Sequence, residues 1–444
     1  MSSATIAWRA PALSFHADPF LVPPAEAVTY ESDALLVVRA GRIEAFGPAA
    51  TVAATLPPDV EVERFPRGLL LPGFVDCHVH YPQLGIIGAS GLTLLDWLER
   101  YTFPAELAFA DPEHARDVAG RFVAELQRNG TTTAMVYGTV HPESVEALFA
   151  AAAGTGLRII AGKVLMDRNA PAGLCDTAQS GYDASQRLIA RWHGCGRLAY
   201  AVTPRFVATS SPAQLEAAAS LWREHPGVWL QSHLSENLDE VAWVRRLYPE
   251  AIDYVDVLER HGLLGAGAVY GHGIHLSERE RRRLGETGTA LAHCPTSNLF
   301  LGSGLFDLAA MRQTQPPIAV GLATDVGAGT TLSMLQTMAA ACRVAQLRGR
   351  PLSPVQALWL ATAGAARALG LGEGAGNLVA GGDADVVLLD LEATPLLAWR
   401  TTQTEGVEAL LGVLTTLGDD RAVAAVLAGG RRCGRAGSGC GRVG

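Results

Sequence analysis

Two histidines one residue apart, His78 and His80, close an apolar run. In an extended strand residues i and i+2 face the same side, so two imidazoles in this arrangement can converge on one ion. An isolated pair of this kind reads more readily as two polar loop residues than as ligands. Company changes that balance, because His233, His272 and Asp325 each stand at the end of a later apolar run. His78, His80, His233 and Asp325 are assigned to one metal ion, and His272 to a water beside it. Three imidazoles and a carboxylate suit zinc or ferrous iron, and the residue types alone do not separate the two. An ion held in this way brings the pKa of a bound water to about 7, so the nucleophile is hydroxide on the metal and not a side chain.

Further polar residues fall close to these. Glu236 lies three residues after His233 in Gln231-Ser-His-Leu-Ser-Glu-Asn237, within reach of a proton travelling between the water and a substrate nitrogen. It also reads as a carboxylate at the start of a helix that Ser235 would cap. Arg205, in Thr203-Pro-Arg-Phe206, offers a planar fork of donors to a carbonyl-bearing ring or, with equal weight, one half of a structural salt bridge. Gln83 can both donate and accept at the edge of a lactam, although position alone makes it a surface residue. His141, His275 and His293 read as neutral hydrogen-bonding histidines, and Asp167-Arg168 as an internal ion pair at the rim.

A parallel barrel is the scaffold that could gather these side chains. Apolar runs at 68–75, 132–137, 158–166, 198–203, 228–231, 268–270, 289–292 and 317–322 alternate with stretches long enough for helices, among them 111–129, 211–225 and 238–258. Segments such as Leu69-Leu70-Leu71 do not alternate polar with apolar, as expected of strands covered on both faces. Eight such strands with helical crossovers make an α/β fold, the (β/α)8 barrel, whose chemistry lies at the C-terminal strand ends. At the flanks, 34–38 and 42–46 bracket Gly41 like a hairpin and 384–389 reads as another strand, so both chain ends are expected to build one small β-sandwich domain. The expected division is 1–67 and 373–434 for that domain, 68–372 for the catalytic barrel, and 435–444 for a flexible glycine-rich tail. Ser353-Pro-Val-Gln356 has the form of a capping box with proline at the first helical position, opening a helix towards Leu369.

Composition narrows the partners. Nearly half of the 444 residues are apolar and 18% are charged, which supports a large core. A net charge of -9 argues against nucleic acid, and the basic run Arg279, Arg281, Arg282 and Arg283 reads as a solvated helix face. No stretch approaches the ~20 apolar residues of a membrane span, and Met1-Ser-Ser-Ala4 lacks the regions of a signal peptide, so a cytoplasmic protein away from membranes is expected. Seven cysteines without a C-x-x-C spacing read as reduced thiols and remove the zinc pattern of the cytidine deaminases.

The segment Leu71-Pro-Gly-Phe-Val-Asp-Cys-His-Val-His-Tyr-Pro-Gln83 resembles the first-strand signature of the amidohydrolase superfamily, and its Tyr-Pro-Gln ending is similar to the guanine deaminase family within it. Also similar are Leu94-Leu-Asp-Trp-Leu-Glu-Arg-Tyr-Thr-Phe-Pro-Ala-Glu106, Met166-Asp-Arg-Asn-Ala-Pro171, Val202-Thr-Pro-Arg-Phe206, Ser232-His-Leu-Ser-Glu-Asn237, Ala292-His-Cys-Pro-Thr-Ser-Asn298, Ala323-Thr-Asp-Val326 and Leu417-Gly-Asp-Asp-Arg421. They span most of the barrel, while the first thirty residues and the last dozen match nothing. Cys77 stands where that family commonly has threonine or a similar small residue. The resemblance implies a zinc-dependent aminohydrolase in which hydroxide on the metal attacks C2 of guanine, releasing ammonia and leaving xanthine, in purine catabolism and salvage. It further implies that Glu236 shuttles a proton to the ring, that Asp325 handles the proton of water, that Gln83, Arg205 and Phe206 hold the purine beside His233, Glu236 and Asp325, and that the protein is a homodimer. Arg205 would donate to a keto oxygen but meet the amino group of adenine unfavourably.

Three other readings compete. A two-metal amide hydrolase of the same superfamily needs a carboxylated lysine at the end of the fourth strand, whereas the single lysine, Lys163, lies in the third and Arg205 closes the fourth. A deaminase of a related ring, such as 8-oxoguanine, a pterin or a triazine, is separated by ammonia release across a panel of those compounds. A barrel that binds metal without catalysis would release none.

Overall fold

A computed structural model describes residues 5–433; Met1–Ala4 and the glycine-rich tail lie outside the described residues. Its centre is the expected (β/α)8 barrel. The parallel strands are β1 (Phe74–His80), β2 (Thr131–Tyr137), β3 (Arg158–Gly162), β4 (Leu198–Pro204), β5 (Trp229–Leu234), β6 (Ala268–His272), β7 (Ala290–His293) and β8 (Val320–Leu322). Each pairs with its successor. Closure of β8 onto β1 is made just beyond the strand, where the Asp325 N–H donates to His78 O at 2.9 Å and the His80 N–H to Val326 O at 2.8 Å. Lower in the same seam the buried Asp76 carboxylate accepts from the N–H of His78 at 3.2 Å, from the N–H of Thr324 at 3.0 Å and from the Thr324 hydroxyl. Small and β-branched side chains such as Val75, Cys77, Ala201, Val269 and Ala292 fill the barrel axis.

The crossover helices follow their caps. Asp111 accepts from the Glu113 N–H to start Pro112–Arg128, and Ser211 from the Gln214 N–H to start Pro212–Glu224. The single helix expected over 238–258 is two, Leu238–Leu247 and Tyr254–Arg260, because Pro249 forces Tyr248 out of the helical region. Ser353 and Gln356 form the expected capping box, but that helix stops at Leu360 and resumes as Ala363–Ala368 around a non-helical Thr362. The basic run lies on the helix Glu278–Thr287, where Arg279 pairs with Asp253 and Arg283 with Glu259.

A second sheet is built from both ends of the chain, with the hairpin Val28–Arg39/Arg42–Pro48 turning through positive φ at Ala40 and Gly41. The run 68–75 is not one barrel strand: Gly68–Pro72 pairs antiparallel with Val386–Asp390 in the small sheet, and the barrel begins at Phe74. Gly73 marks the passage, since a Cβ there would run into Thr132. Similarly, the run 158–166 breaks at Lys163, after which Val164–Leu165 pairs with β4. The small sheet is fastened to the N-terminal ends of β3 and β4, where Arg197 donates to Asp385 at 2.6 Å and Arg158 to Asp383 at 2.7 Å. That leaves the C-terminal barrel mouth free. Among the described residues no helix is long and apolar enough to cross a membrane, and six cysteines are unpaired.

Candidate active site

At the barrel mouth His78 and His80 end β1, His233 lies in β5, His272 ends β6, and Asp325 follows β8. Their side chains meet. His80 Nε2 is 3.2 Å from His78 Nε2 and 3.0 Å from His233 Nε2, and Asp325 Oδ1 is 3.3 Å from His78 Nε2 and 3.5 Å from His80 Nε2. Four donors bound at about 2.1 Å around a tetrahedral ion stand roughly 3.4 Å apart, so these spacings fit a single divalent ion. The chemistry of the donors fits as well. His233 Nδ1 lies 2.7 Å from Arg205 O and donates to it, which leaves the Nε2 lone pair facing the centre. Burial holds the pKa of His78 below, and of His80 and His233 well below, the ordinary histidine value, so all three are neutral and have lone pairs to offer an ion. Three lone pairs packed this closely repel one another unless a cation lies between them. Cys294 is near His272 and Asp325, but burial pushes its thiol up and it points to Ala292 O, so it stays a neutral structural residue.

Backbone strain aims two of these groups. His272 and Asp325 have φ of 71° and 50°, a left-handed conformation that costs about 1–3 kcal/mol per non-glycine residue and persists only where the surroundings impose it. Here the imposing contacts are Asn298, whose Oδ1 is 2.8 Å from His272 Nδ1, and the β1–β8 seam that carries Asp325. Asn298 Oδ1 accepts a hydrogen bond from the Nδ1–H, which turns His272 Nε2 towards Glu236 Oε2 at 3.3 Å and Asp325 Oδ2 at 3.6 Å. Burial alone would lower the pKa of His272, yet those two carboxylates raise it.

Glu236 is pushed up to about 7, chiefly by burial, with the Asp325 charge adding to the effect and His272 opposing it. Its carboxylate accepts from the Ser303 hydroxyl at 3.1 Å. The helix-cap reading of this segment is corrected: Asn237 caps Leu238–Leu247 in a capping box with Glu240, while Ser235 has φ 47° and an unpartnered hydroxyl. Glu236 therefore precedes the helix and faces the cleft.

That cleft is lined by Gln83, Arg205, Phe206, Glu236, His272 and Asp325, with His80 and His233 at its floor and Leu94, Trp97, Leu98 and Leu301 as an apolar wall. His78 sits beneath, against Gly271. Both readings of Arg205 hold at once, since it is ion-paired with Glu106 at 2.8 Å and also lines the cleft. Gln83 is not a surface residue: it is buried, donating to Glu106 at 3.1 Å. Asp167 and Arg168 are not paired with each other; Asp167 accepts from the Ser211 N–H, and Arg168 donates to Tyr248. His275 bonds Ser303 O, His141 is half-buried, and His293 is buried and stacked on Phe306, its pKa lowered to about 3. Glu106, Asn298, Glu240 and the wall Leu94–Trp97 were not singled out from the sequence. Glu106 and Asn298 end two of the family-like segments, but neither stands at a strand end, which was the signal that found the others.

A His/Asp cluster able to hold a metal ion at the mouth of a (β/α)8 barrel, with a buried carboxyl group beside it, is the site of a metal-dependent hydrolase. Residues 69–433 match the model of the amidohydrolase family, and the chain belongs to that family. It is 48% identical to guanine deaminase of Escherichia coli (strain K12) over 92% of each chain. Its fold superimposes on the structure of E. coli guanine deaminase with a TM-score of 0.94, covering 97% of this chain and 100% of that one at 46% identity. The guanine deaminase of C. acetobutylicum, solved with guanine bound in the active site, gives a TM-score of 0.86 at 26% identity over 97% of this chain and 100% of that one.

Proposed function

We propose that the protein is a guanine deaminase that hydrolyses guanine to xanthine and ammonia. The observation that carries this reading is that one cleft is lined both by members of the four-ligand cluster and by the donors Arg205 and Gln83, which suit a keto-bearing ring. Similarity to guanine deaminases over nearly the full chain supports it.

His78, His80, His233 and Asp325 are the proposed holders of one zinc ion, with ferrous iron the alternative. When bound, such an ion makes hydroxide available from water at neutral pH. Glu236, with its pKa near 7, accepts a proton as the water oxygen bonds to C2 and delivers it to the adjacent ring nitrogen. The C2–N bond to the exocyclic amine then breaks, the hydroxyl proton passes through Asp325 and His272 to the departing nitrogen, and ammonia leaves with the ring now a keto form. Arg205 and Gln83 donate to the ring's acceptors, and Phe206 with the Leu94–Trp97 wall excludes water from its faces.

The same reading places the protein in purine catabolism and salvage, in the cytoplasm, as a homodimer that sedimentation velocity would reveal. It assigns 68–372 to the catalytic barrel and both flanks, 1–67 and 373–434, to the small β domain. Sheet pairing supports that division apart from Gly68–Pro72, which pair with the flanking sheet. Incubation of the metal-loaded protein with guanine should yield xanthine and ammonia in equal amounts. Ammonia from 8-oxoguanine, a pterin or a triazine with none from guanine overturns the choice of ring.

A further inference from the structure

Behind the cleft, outside its lining, lies a carboxylate that the reaction does not use. Glu106, in the helix Phe103–Leu107, is fully buried. Both of its oxygens accept from Arg205 Nη1 at 2.8 Å, and Oε1 also accepts from Gln83 Nε2 at 3.1 Å. Gln83 Oε1 accepts in turn from the Gly327 N–H at 3.3 Å. The Gln83 amide is thus held at both ends. Turning it over would set its oxygen against a carboxylate and its NH2 against an N–H. Held this way round, Gln83 keeps one N–H for a ligand, and Arg205, with Nη1 committed to Glu106, keeps Nη2 and Nε. A buried guanidinium left without its counter-charge is strongly destabilising, so Glu106 also makes the Gln83, Arg205 and Glu106 group neutral overall, which suits an uncharged base.

We propose that Glu106 is a positioning residue that sets which rings the cleft accepts, by fixing Gln83 and Arg205 as a pair of donors that selects a ring carrying a keto oxygen together with an unprotonated ring nitrogen. The inference deepens the guanine reading and rests on it for the identity of the substrate. Its effect is read in binding and in specificity, because Glu106 does not reach the cleft itself.

Equilibrium binding of hypoxanthine, which has the keto oxygen, and of purine, which lacks it, to the metal-loaded protein tests this apart from turnover. Wild type is expected to favour hypoxanthine by about tenfold or more, and Glu106→Gln to bring the ratio to within roughly threefold. Glu106→Asp keeps the charge that Arg205 needs but withdraws it from Gln83, so it folds and gives an intermediate ratio. In turnover, Glu106→Gln should raise KM for guanine about tenfold while kcat changes much less. An unchanged binding ratio in Glu106→Gln, in Glu106→Asp where the glutamine variant fails to fold, or a wild type indifferent to the keto oxygen overturns the role of Glu106. Ring discrimination that depends on Glu106 without guanine turnover sustains that role and overturns the deaminase reading.

Discussion

Glu236 combines burial with the company of His272 and Asp325, and the consequence is a carboxyl group that is half ionised near pH 7. A group that first takes and then gives a proton works best there. On the proposed mechanism the ionised form starts the reaction, so kcat/KM should fall in acid as Glu236 is protonated, with the break below the metal-free value of about 7 because the charge of the bound ion opposes the effect of burial. Glu236→Gln should retain the metal and lose turnover by roughly 10²–10⁴-fold, measured by metal content and xanthine formation. The same shift bears on stability. The folded-state pKa lies above the unfolded value of 4.5, so the cost of ionising Glu236 in place is absent in acid, grows from pH 4.5 to about 7, and is constant above, at about 3 kcal/mol. Metal-stripped Glu236→Gln should therefore melt higher than the metal-stripped wild type at pH 8 and almost equally at pH 5. An equal difference at both pH values would mean that Glu236 is not the group responsible. Glycine matters at this scale too. A Cβ on Gly271 would lie 2.6 Å from His78 Cε1, so Gly271→Ala should displace that ligand and weaken metal binding by about 10–100-fold in a competition titration.

The elements explain which of these residues were legible. His78, His80, His233, His272 and Asp325 share one rule, a polar residue at the end of an apolar run, and a barrel converts that rule into proximity. Glu106 escapes it because it comes from a short helix after β1, reaching the site only through Arg205 and Gln83. Gln83 looked like a surface residue for the same reason, as nothing local says that Gly327 and Glu106 will enclose it. Gly68–Pro72 is fully buried in the small sheet, as a barrel strand would also be, so its composition could not say to which sheet it belonged; Gly73, where a Cβ would meet Thr132, marks the passage into the barrel. The break of 238–258 was written in Pro249, and the cap at Asn237 rather than Ser235 in the spacing to Glu240.

At the scale of the molecule, the barrel has a fastening end and a working end. Arg197 reaches Asp385 from the foot of β4, and Asp385 also accepts from the Gly429 N–H. Arg197→Ala should cost about 2 kcal/mol, less than the loss of a fully buried partner, and lower the melting temperature while leaving kcat/KM for guanine within about twofold. A large loss of kcat/KM there would mean that the two ends are coupled.

The seam between β1 and β8 joins Asp76 to Thr324, 248 residues apart in sequence, and the proposed metal ligands straddle it. An ion held by both sides is a clasp as well as a reagent. Stripping it should speed hydrogen exchange of the His80 and Asp325 amides, whose bonds close the ring, well before it affects amides of β3 and β4. Because Asp325 is supplied only after the eighth strand, a nascent chain has no complete site until nearly all of the barrel has been made. On the proposed ligand set, binding by all four ligands would therefore follow closure of the ring, and the ion's arrival would report the end of folding.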